Sequence, residues 1–556
     1  MAHVTRIIGG PGTGKTTLIR DRLTAIKKEL GLSAEQIGLC TFTRAGRQEL
    51  SERCAAEWGV STDTLTRSGW FRTAHSIAYR QTKVDDGQLL QGKEGGEWTS
   101  TVVGGRVVSS YNHSTEVFGY DYATDVDKSV VCSLRAWDLA RAGMTSLASV
   151  LGMWRDIGES TEDTVTASRI VEKYESAKKR DGRLDFTDIL ASYAGVRFSV
   201  SGGAESTQPV GDLPAGMRVL AIDEAQDSSG LVDLVCRRLA SGDEIERVLL
   251  TGDPYQSIYG FGGSDFRHFM SWEADEETMP KSYRCPDNIM ALGERCIRAM
   301  KSGYRNRGIV SAPHEGSIRT SGDVSDAVSK IKGEESVLVL ARCRFPLIEY
   351  EQELRSKGLP FAWIDKVGSA SQAAGFQALW DLGHGETICG EDWSHAIAMT
   401  RVTIGDDKLL VRGEKKAWAD GLRSEVDAVR PIEEGFALAG ATPLLAKMIL
   451  EGDWVGAVEK RVEDRAKDWL AAAKKHGPEL ASNPRIRLST IHSAKGMEAD
   501  TVLLSTATSG AVERGRLATD SLHDEECRIA YVGVTRAKRA LVVVDDGSTN
   551  RMELPL

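Results

Sequence analysis

Eight residues near the amino end, Gly9-Gly10-Pro11-Gly12-Thr13-Gly14-Lys15-Thr16, fit the pattern G-x-x-x-x-G-K-[ST], and that pattern has a specific chemistry. Its glycines let successive backbone N–H groups wrap a β-phosphate, the lysine reaches the β- and γ-phosphates, and the threonine hydroxyl binds Mg²⁺. Here these are Lys15 and Thr16, with Thr17 following in the first helical turn. A second group, Asp223-Glu224-Ala225-Gln226-Asp227, closes an apolar run. At the carboxyl end of a strand, one such acid can hold the metal and the next can orient an attacking water, so Asp223 is assigned to the metal and Glu224 to the water. Taken alone, these acids fit a helix start equally well, because the macrodipole favours them there. The phosphate loop in the same chain turns the reading towards phosphoryl chemistry.

The elements that must position these groups follow from the apolar pattern. Residues 4–8 read as a strand, 9–15 as a loop and 16–30 as a helix. Residues 38–42 begin a second such unit, and 218–222 form the strand that delivers the acids. Continuous apolar strands alternating with helices predict a parallel sheet covered on both faces. Strands at 336–340, 501–504 and 541–544 predict a second one. Between about 84 and 181 the pattern becomes loop-like, at Gly92-Lys93-Glu94-Gly95-Gly96 and Val103-Gly104-Gly105, and then helical over 134–157. A helical stretch rich in alanine and charge spans 367–484.

A chain of 556 residues exceeds what one core supports, so several domains are expected. No stretch approaches the roughly 18 apolar residues of a membrane span, and residues 1–4 lack the features of a signal peptide, which predicts a cytoplasmic protein without membrane association. No two of the nine cysteines are separated by only two residues, so they read as core thiols. The net charge of −10 argues against a protein coated in basic residues to grip duplex DNA, and confines any nucleic-acid binding to a groove.

At this point the residues resemble superfamily 1 helicases of the UvrD/Rep/PcrA type. Asp223-Glu224-Ala225-Gln226-Asp227 is similar to that family's D-E-x-Q-D segment. Thr41-Phe42-Thr43-Arg44-Ala45, Thr73-Ala74-His75-Ser76 and Asp185-Phe186-Thr187-Asp188-Ile189-Leu190 resemble further segments in the family's order. So do Gly252-Asp253-Pro254-Tyr255-Gln256-Ser257-Ile258-Tyr259-Gly260-Phe261, Ser282-Tyr283-Arg284, Thr490-Ile491-His492-Ser493-Ala494-Lys495-Gly496-Met497-Glu498 and Tyr531-Val532-Gly533-Val534-Thr535-Arg536-Ala537. The resemblance implies an α/β fold of two RecA-like P-loop domains, each with an inserted, mostly helical subdomain. The corresponding divisions are 1–83 and 182–281 for the first domain with 84–181 inserted, and 282–366 and 485–556 for the second with 367–484 inserted.

It also implies an ATP-dependent helicase moving 3′-to-5′ on single-stranded DNA, with ATP and Mg²⁺ as cofactors. Its partners would be single strands, single-strand/duplex junctions and replication or repair proteins; the sequence leaves the oligomeric state open, with a monomer favoured. Carried over by position, Gln256 senses the γ-phosphate and Arg284 and Arg536 act as arginine fingers. Tyr283 stacks on adenine and Glu498 contacts the ribose. Phe42, Thr43, His75, Tyr259, Phe261, Thr490 and His492 line the DNA track. Any one aromatic could belong to a core instead, which is the lesser alternative, whereas Asp185 with Asp188 is read as an N-cap and first-turn acids without a ligand.

The chain also departs from the family's pattern. Only eight residues precede Gly9, so the upstream glutamine segment that reads adenine is missing. Gly262 stands where an arginine is usual, Cys527 replaces a basic residue, the insertion at 367–484 is short, and twenty residues after Arg536 leave no room for a nuclease domain. The alternatives are a translocase that strips proteins from single strands, an ATP-gated binding module, and a P-loop small-molecule kinase, which would leave the second half unexplained.

Overall fold

A computed structural model describes residues 2–42, 44–104, 109–112, 117–120, 128–156, 162–331, 333, 335–364, 369–419, 435–437 and 439–556. The chain divides into two compact units. The first comprises Met1–Ser317, Ser509–Lys538 and Asn550–Leu556, and the second Ile318–Thr508 and Arg539–Thr549.

The first unit is built on strands β1 (His3–Ile8), β2 (Ile37–Thr41), β3 (Trp70–Thr73), β4 (Val219–Ile222), β5 (Arg247–Gly252) and β6 (Asp275–Thr278), in the order β6-β1-β5-β4-β2-β3. Each neighbouring pair runs parallel. Successive residues of β4 bury on opposite faces: Leu220 and Ile222 join one core with Ile8, Cys40, Val248 and Leu250. Val219 and Ala221 join the other, with Leu39, Phe71 and Leu249. That is why the strand reads as a continuous apolar run rather than an alternating one. Helix α1 (Lys15–Glu29) covers the second face with Ile19 and Leu23, a turn apart, and partly with Ile26 and Leu30.

Between β3 and β4 come the helices Gly92–Val103, α2 (Lys128–Ala142), Leu147–Asp156 and α3 (Thr164–Asp181). The run from Gly92 to Gly96, loop-like by composition, is therefore helical. Gly95 permits a close approach to the Leu90 backbone, where a Cβ would come within 2.8 Å, and burial of Val103 with Leu90, Leu134 and Tyr174 outweighs the glycines' cost. The helical run expected over 134–157 is interrupted after Ala142, and Met144 takes a positive φ of 57° there. Gly105 lies outside the described residues.

Asp185 caps helix α4 (Phe186–Ala194) by accepting from the Asp188 backbone N–H at 2.9 Å. It also accepts from Arg141 at 2.9 Å and Lys178 at 2.7 Å, so the two acids tie α2 and α3 to α4 through buried ion pairs rather than presenting a free acidic site. Strands β7 (Lys281–Pro286) and β8 (Val310–Ala312) and helices α5 (Asp287–Arg298) and α6 (Asp520–Val534) complete the elements of this unit that matter for the site.

Apart from Ser317, Ala537 and Lys538, the second unit holds β9 (Ser317–Ser321), β10 (Val337–Ala341), β11 (Phe361–Trp363), β12 (Ile486–Thr490), β13 (Ala499–Ser505) and β14 (Ala537–Val544), ordered β9-β14-β13-β10-β12-β11. β10 pairs in parallel with β12 and β13, and β11 with β12. Val337, Val339, Leu488 and Leu503 pack there against Leu347, Tyr350 and Leu354. A separate helical body is organised around Phe376, Trp454 and Trp469, with the Phe376 and Trp454 rings stacked at 6.0 Å. Six cysteines are buried, but Cys389 is exposed at a helix N-cap, a position that projects outside the packed turn. No described helix is long and apolar enough to cross a membrane.

Candidate active site

The phosphate loop runs from the end of β1 to the start of α1. Gly12 and Gly14 have φ of 66° and 82°, in the left-handed region that suits glycine. Gly12 is constrained twice, because a Cβ there would lie 2.2 Å from the Arg284 Cβ. The contact brings β7 against the loop: Tyr283 N–H donates to the Gly12 carbonyl at 2.8 Å, and the Ser282 hydroxyl donates to the Pro11 carbonyl at 2.8 Å. Lys15 Nζ folds back to donate to the Gly9 carbonyl at 3.1 Å, and Thr13 Oγ1 donates to the Gly10 carbonyl at 3.0 Å. Thr16 and Thr17 follow in the first turn of α1.

β4 ends in Asp223 and Glu224. The Asp223 carboxylate is buried and accepts from Thr251 Oγ1 at 2.6 Å and from the Glu224 N–H at 2.9 Å. Burial, and then the adjacent Glu224 carboxylate, raise its pKa above the ordinary carboxylate range. Glu224 itself has φ of 52°, a conformation that costs a non-glycine residue about 1 kcal/mol or more and marks functional sites. Its Oε1 lies 4.0 Å from Lys15 Nζ, and its Oε2 accepts from Gln226 Nε2 at 2.6 Å.

Gln226 also accepts the Asp253 N–H at 3.0 Å through Oε1, and its carbonyl accepts the Ser257 hydroxyl at 2.9 Å. The acidic segment is thereby joined to the segment after β5. There Gln256 donates through Nε2 to Asp253 at 2.8 Å and accepts from Arg536 at 3.1 Å through Oε1.

Arg536 is buried at the end of α6 and also donates to the Val532 carbonyl at 3.0 Å. Burial, then the like charge of Arg284, lower its pKa to about 10, so it stays protonated at neutral pH. Two guanidinium groups thus converge beside the phosphate loop, an arrangement that an anion would relieve. The same helix grips the turn that follows: Arg528 Nε donates to the Ser257 carbonyl at 2.8 Å, and the Gly260 N–H donates to Glu525 at 2.9 Å. Cys527, between them, sits 3.8 Å from His523.

The structure therefore brings Lys15, Asp223, Glu224, Gln256, Arg284 and Arg536 into one unit around the phosphate loop. Tyr283, exposed, lies beside that loop. Phe261 is 61% exposed, with its ring edge to Tyr259 at 6.0 Å. Phe42 and His75 are half-buried; Phe42 packs partly on the first core, and burial lowers the His75 pKa to about 4, leaving it neutral. Thr490, His492 and Glu498 belong to the second unit, Thr490 at the end of β12, where it donates to Ser493 at 3.2 Å, and Glu498 exposed just before β13. Thr43 lies outside the described residues. Gln226 and Asp253 fall within recognised segments without an assigned role, and Arg307 carries no sequence signal beyond its charge.

Two family models match this chain, that of the UvrD/REP helicase N-terminal domain over residues 1–277 and that of the UvrD-like helicase C-terminal domain over residues 467–545, together more than half of the chain. It is 24% identical to the ATP-dependent DNA helicase UvrD2 of Mycobacterium bovis, over 96% of this chain and 75% of that one. It is 21% identical to the ATP-dependent DNA helicase srs2 of Schizosaccharomyces pombe, over 97% and 69%. It is 22% identical to the ATP-dependent DNA helicase UvrD1 of Mycobacterium leprae, over 96% and 80%.

Proposed function

We propose that this chain, which belongs to the UvrD/Rep family of helicases, hydrolyses ATP at the phosphate loop and uses it to move 3′-to-5′ along single-stranded DNA, separating strands at junctions. The observation that supports this best is the continuous set of contacts from Glu224 through Gln226 and Asp253 to Gln256 and Arg536. It links a group able to orient water to a group able to meet a γ-phosphate. Asp223, a buried carboxylate whose charge is opposed by burial and by Glu224, suits a divalent cation, and it would hold Mg²⁺ together with the Thr16 hydroxyl. When bound, the ion neutralises phosphate charge. Lys15 and the loop N–H groups bind the phosphates, Glu224 orients the water and takes its proton, and Arg284 and Arg536 stabilise charge developing on the transferred group. Tyr283 stacks on adenine.

Tailed duplexes test this directly. With ATP and Mg²⁺, a 3′ single-stranded tail should support strand displacement and a 5′ tail should not, and single strands should stimulate ATP hydrolysis. Displacement from 5′ tails alone would reverse the polarity. Stimulated hydrolysis without displacement would favour a translocase that clears bound proteins, and no stimulation at all would defeat the reading.

In this reading the DNA track of the first unit includes Phe42, Thr43, His75, Tyr259 and Phe261. Phe261 is a good candidate because it is a large, exposed aromatic on a turn held by Glu525 and Arg528. Stacking on one base is worth about 1–3 kcal/mol, so Phe261→Ala should weaken oligonucleotide affinity by about 5- to 150-fold with little sequence preference. Its exposure means the melting temperature should barely move. A large drop in melting temperature, or unchanged affinity, would return Phe261 to a packing role.

A further inference from the structure

Arg307 lies between α5 and β8 in the run Gly303-Tyr304-Arg305-Asn306-Arg307-Gly308, whose composition suggests a solvated loop. It is instead buried. One guanidinium nitrogen donates to Asp253 Oδ1 at 2.7 Å and the other to the Tyr531 hydroxyl at 3.0 Å. That hydroxyl donates in turn to Asp253 Oδ2 at 3.3 Å, closing a triangle. The Tyr255 ring lies 4.7 Å from the guanidinium. Tyr255 is itself fixed, accepting the Arg305 N–H at 2.7 Å through its hydroxyl.

Asp253 is fully buried, and a buried carboxylate needs a charged, hydrogen-bonded partner in place of water. Arg307 is that partner. Burial alone would lower the Arg307 pKa, but Asp253, with Tyr531 and Glu294, outweighs it and raises the pKa above the ordinary value. Both Asp253 carboxylate oxygens accept hydrogen bonds, and Arg536 can only donate them. Between the two, the Gln256 amide has one satisfactory orientation, with its nitrogen on Asp253 and its oxygen on Arg536. The opposite orientation sets oxygen against carboxylate and N–H against guanidinium.

We infer that Arg307 is a positioning residue for hydrolysis: by holding Asp253 fixed, it sets the orientation of the Gln256 amide that faces the terminal phosphate together with Arg536. This rests on the reading that Gln256 serves hydrolysis. Arg307 itself touches no reacting atom.

The test is a double-mutant cycle in the full chain, read as DNA-stimulated ATP turnover, with the melting temperature checking that each variant folds. Arg307→Lys keeps the charge but loses the fork, and should lower kcat about tenfold with the ATP KM within about threefold. Gln256→Ala should lower kcat further, and the double variant should be no slower than Gln256→Ala alone, because both act through one amide. Arg307→Met should be slower than Arg307→Lys. A parental kcat for Arg307→Lys, or losses that multiply in the double variant, would overturn the inference. A parental kcat for Gln256→Ala would instead remove Gln256 from hydrolysis, defeating the reading beneath it. If Arg307→Lys does not fold, Tyr531→Phe decides by the same cycle, since it deletes only the bridging hydroxyl: lowered kcat that does not add to Gln256→Ala supports the inference, and parental kcat or multiplying losses overturn it.

Discussion

Replacing Glu224 with glutamine is expected to leave ATP affinity within a few-fold of the parent while lowering kcat by about 10²–10⁴-fold. The amide keeps the shape and can still accept from Gln226, which holds Glu224 Oε2 at 2.6 Å, so the site should keep its geometry. What is lost is basicity. Binding rests on the loop glycines and on Lys15, whose Nζ lies 4.0 Å from Glu224 Oε1 and loses at most a weak ion pair. The left-handed φ of 52° at Glu224 points the same way, because glutamine should tolerate it no better than glutamate, and its cost is unexplained unless the side chain is aimed for chemistry. Equilibrium binding of a fluorescent nucleotide beside single-turnover hydrolysis separates the two quantities. Turnover within a few-fold of the parent would take the water-orienting role away from Glu224.

The α/β character and the phosphate loop were legible in the sequence because their signals are local. A strand, a glycine turn and a helix occupy adjacent residues, and their spacing is dictated by backbone geometry. The Gly92–Val103 helix was not, because its glycines are tolerated only through burial against Leu90, Leu134 and Tyr174, which propensity cannot see. Arg307 illustrates the same limit within the site. Its partners Asp253 and Tyr531 lie 54 and 224 residues away, and nothing in a Gly-Tyr-Arg-Asn-Arg-Gly run distinguishes a buried cation from a solvated one. Gln226 stood inside a recognised segment, yet its role as the joint between Glu224 and Asp253 depends on the parallel pairing of β4 with β5. Resemblance could propose Arg284 and Arg536 as fingers. The convergence of their charges beside Gly12 needed the fold.

That convergence gives the other large effect: Arg536→Ala should lower kcat by about 10³-fold or more, the scale of an arginine finger, while raising the ATP KM far less. The guanidinium is desolvated, its pKa is lowered to about 10 by burial and by Arg284, and its NH2 group meets Gln256 Oε1 at 3.1 Å. A charge held under those conditions costs the resting fold something. It returns most when an anion approaches, and most of all when negative charge spreads over the phosphoryl oxygens in the transition state. Arg536→Lys restores a charge without the planar fork, and so should recover only a small part of the loss, since one ammonium cannot keep Gln256 and the Val532 carbonyl while serving the phosphate. Steady-state turnover with saturating single-stranded DNA, together with nucleotide affinity measured separately, checks both. Parental turnover in Arg536→Ala, or full recovery by lysine, would mean that Arg536 stabilises α6 rather than the reaction.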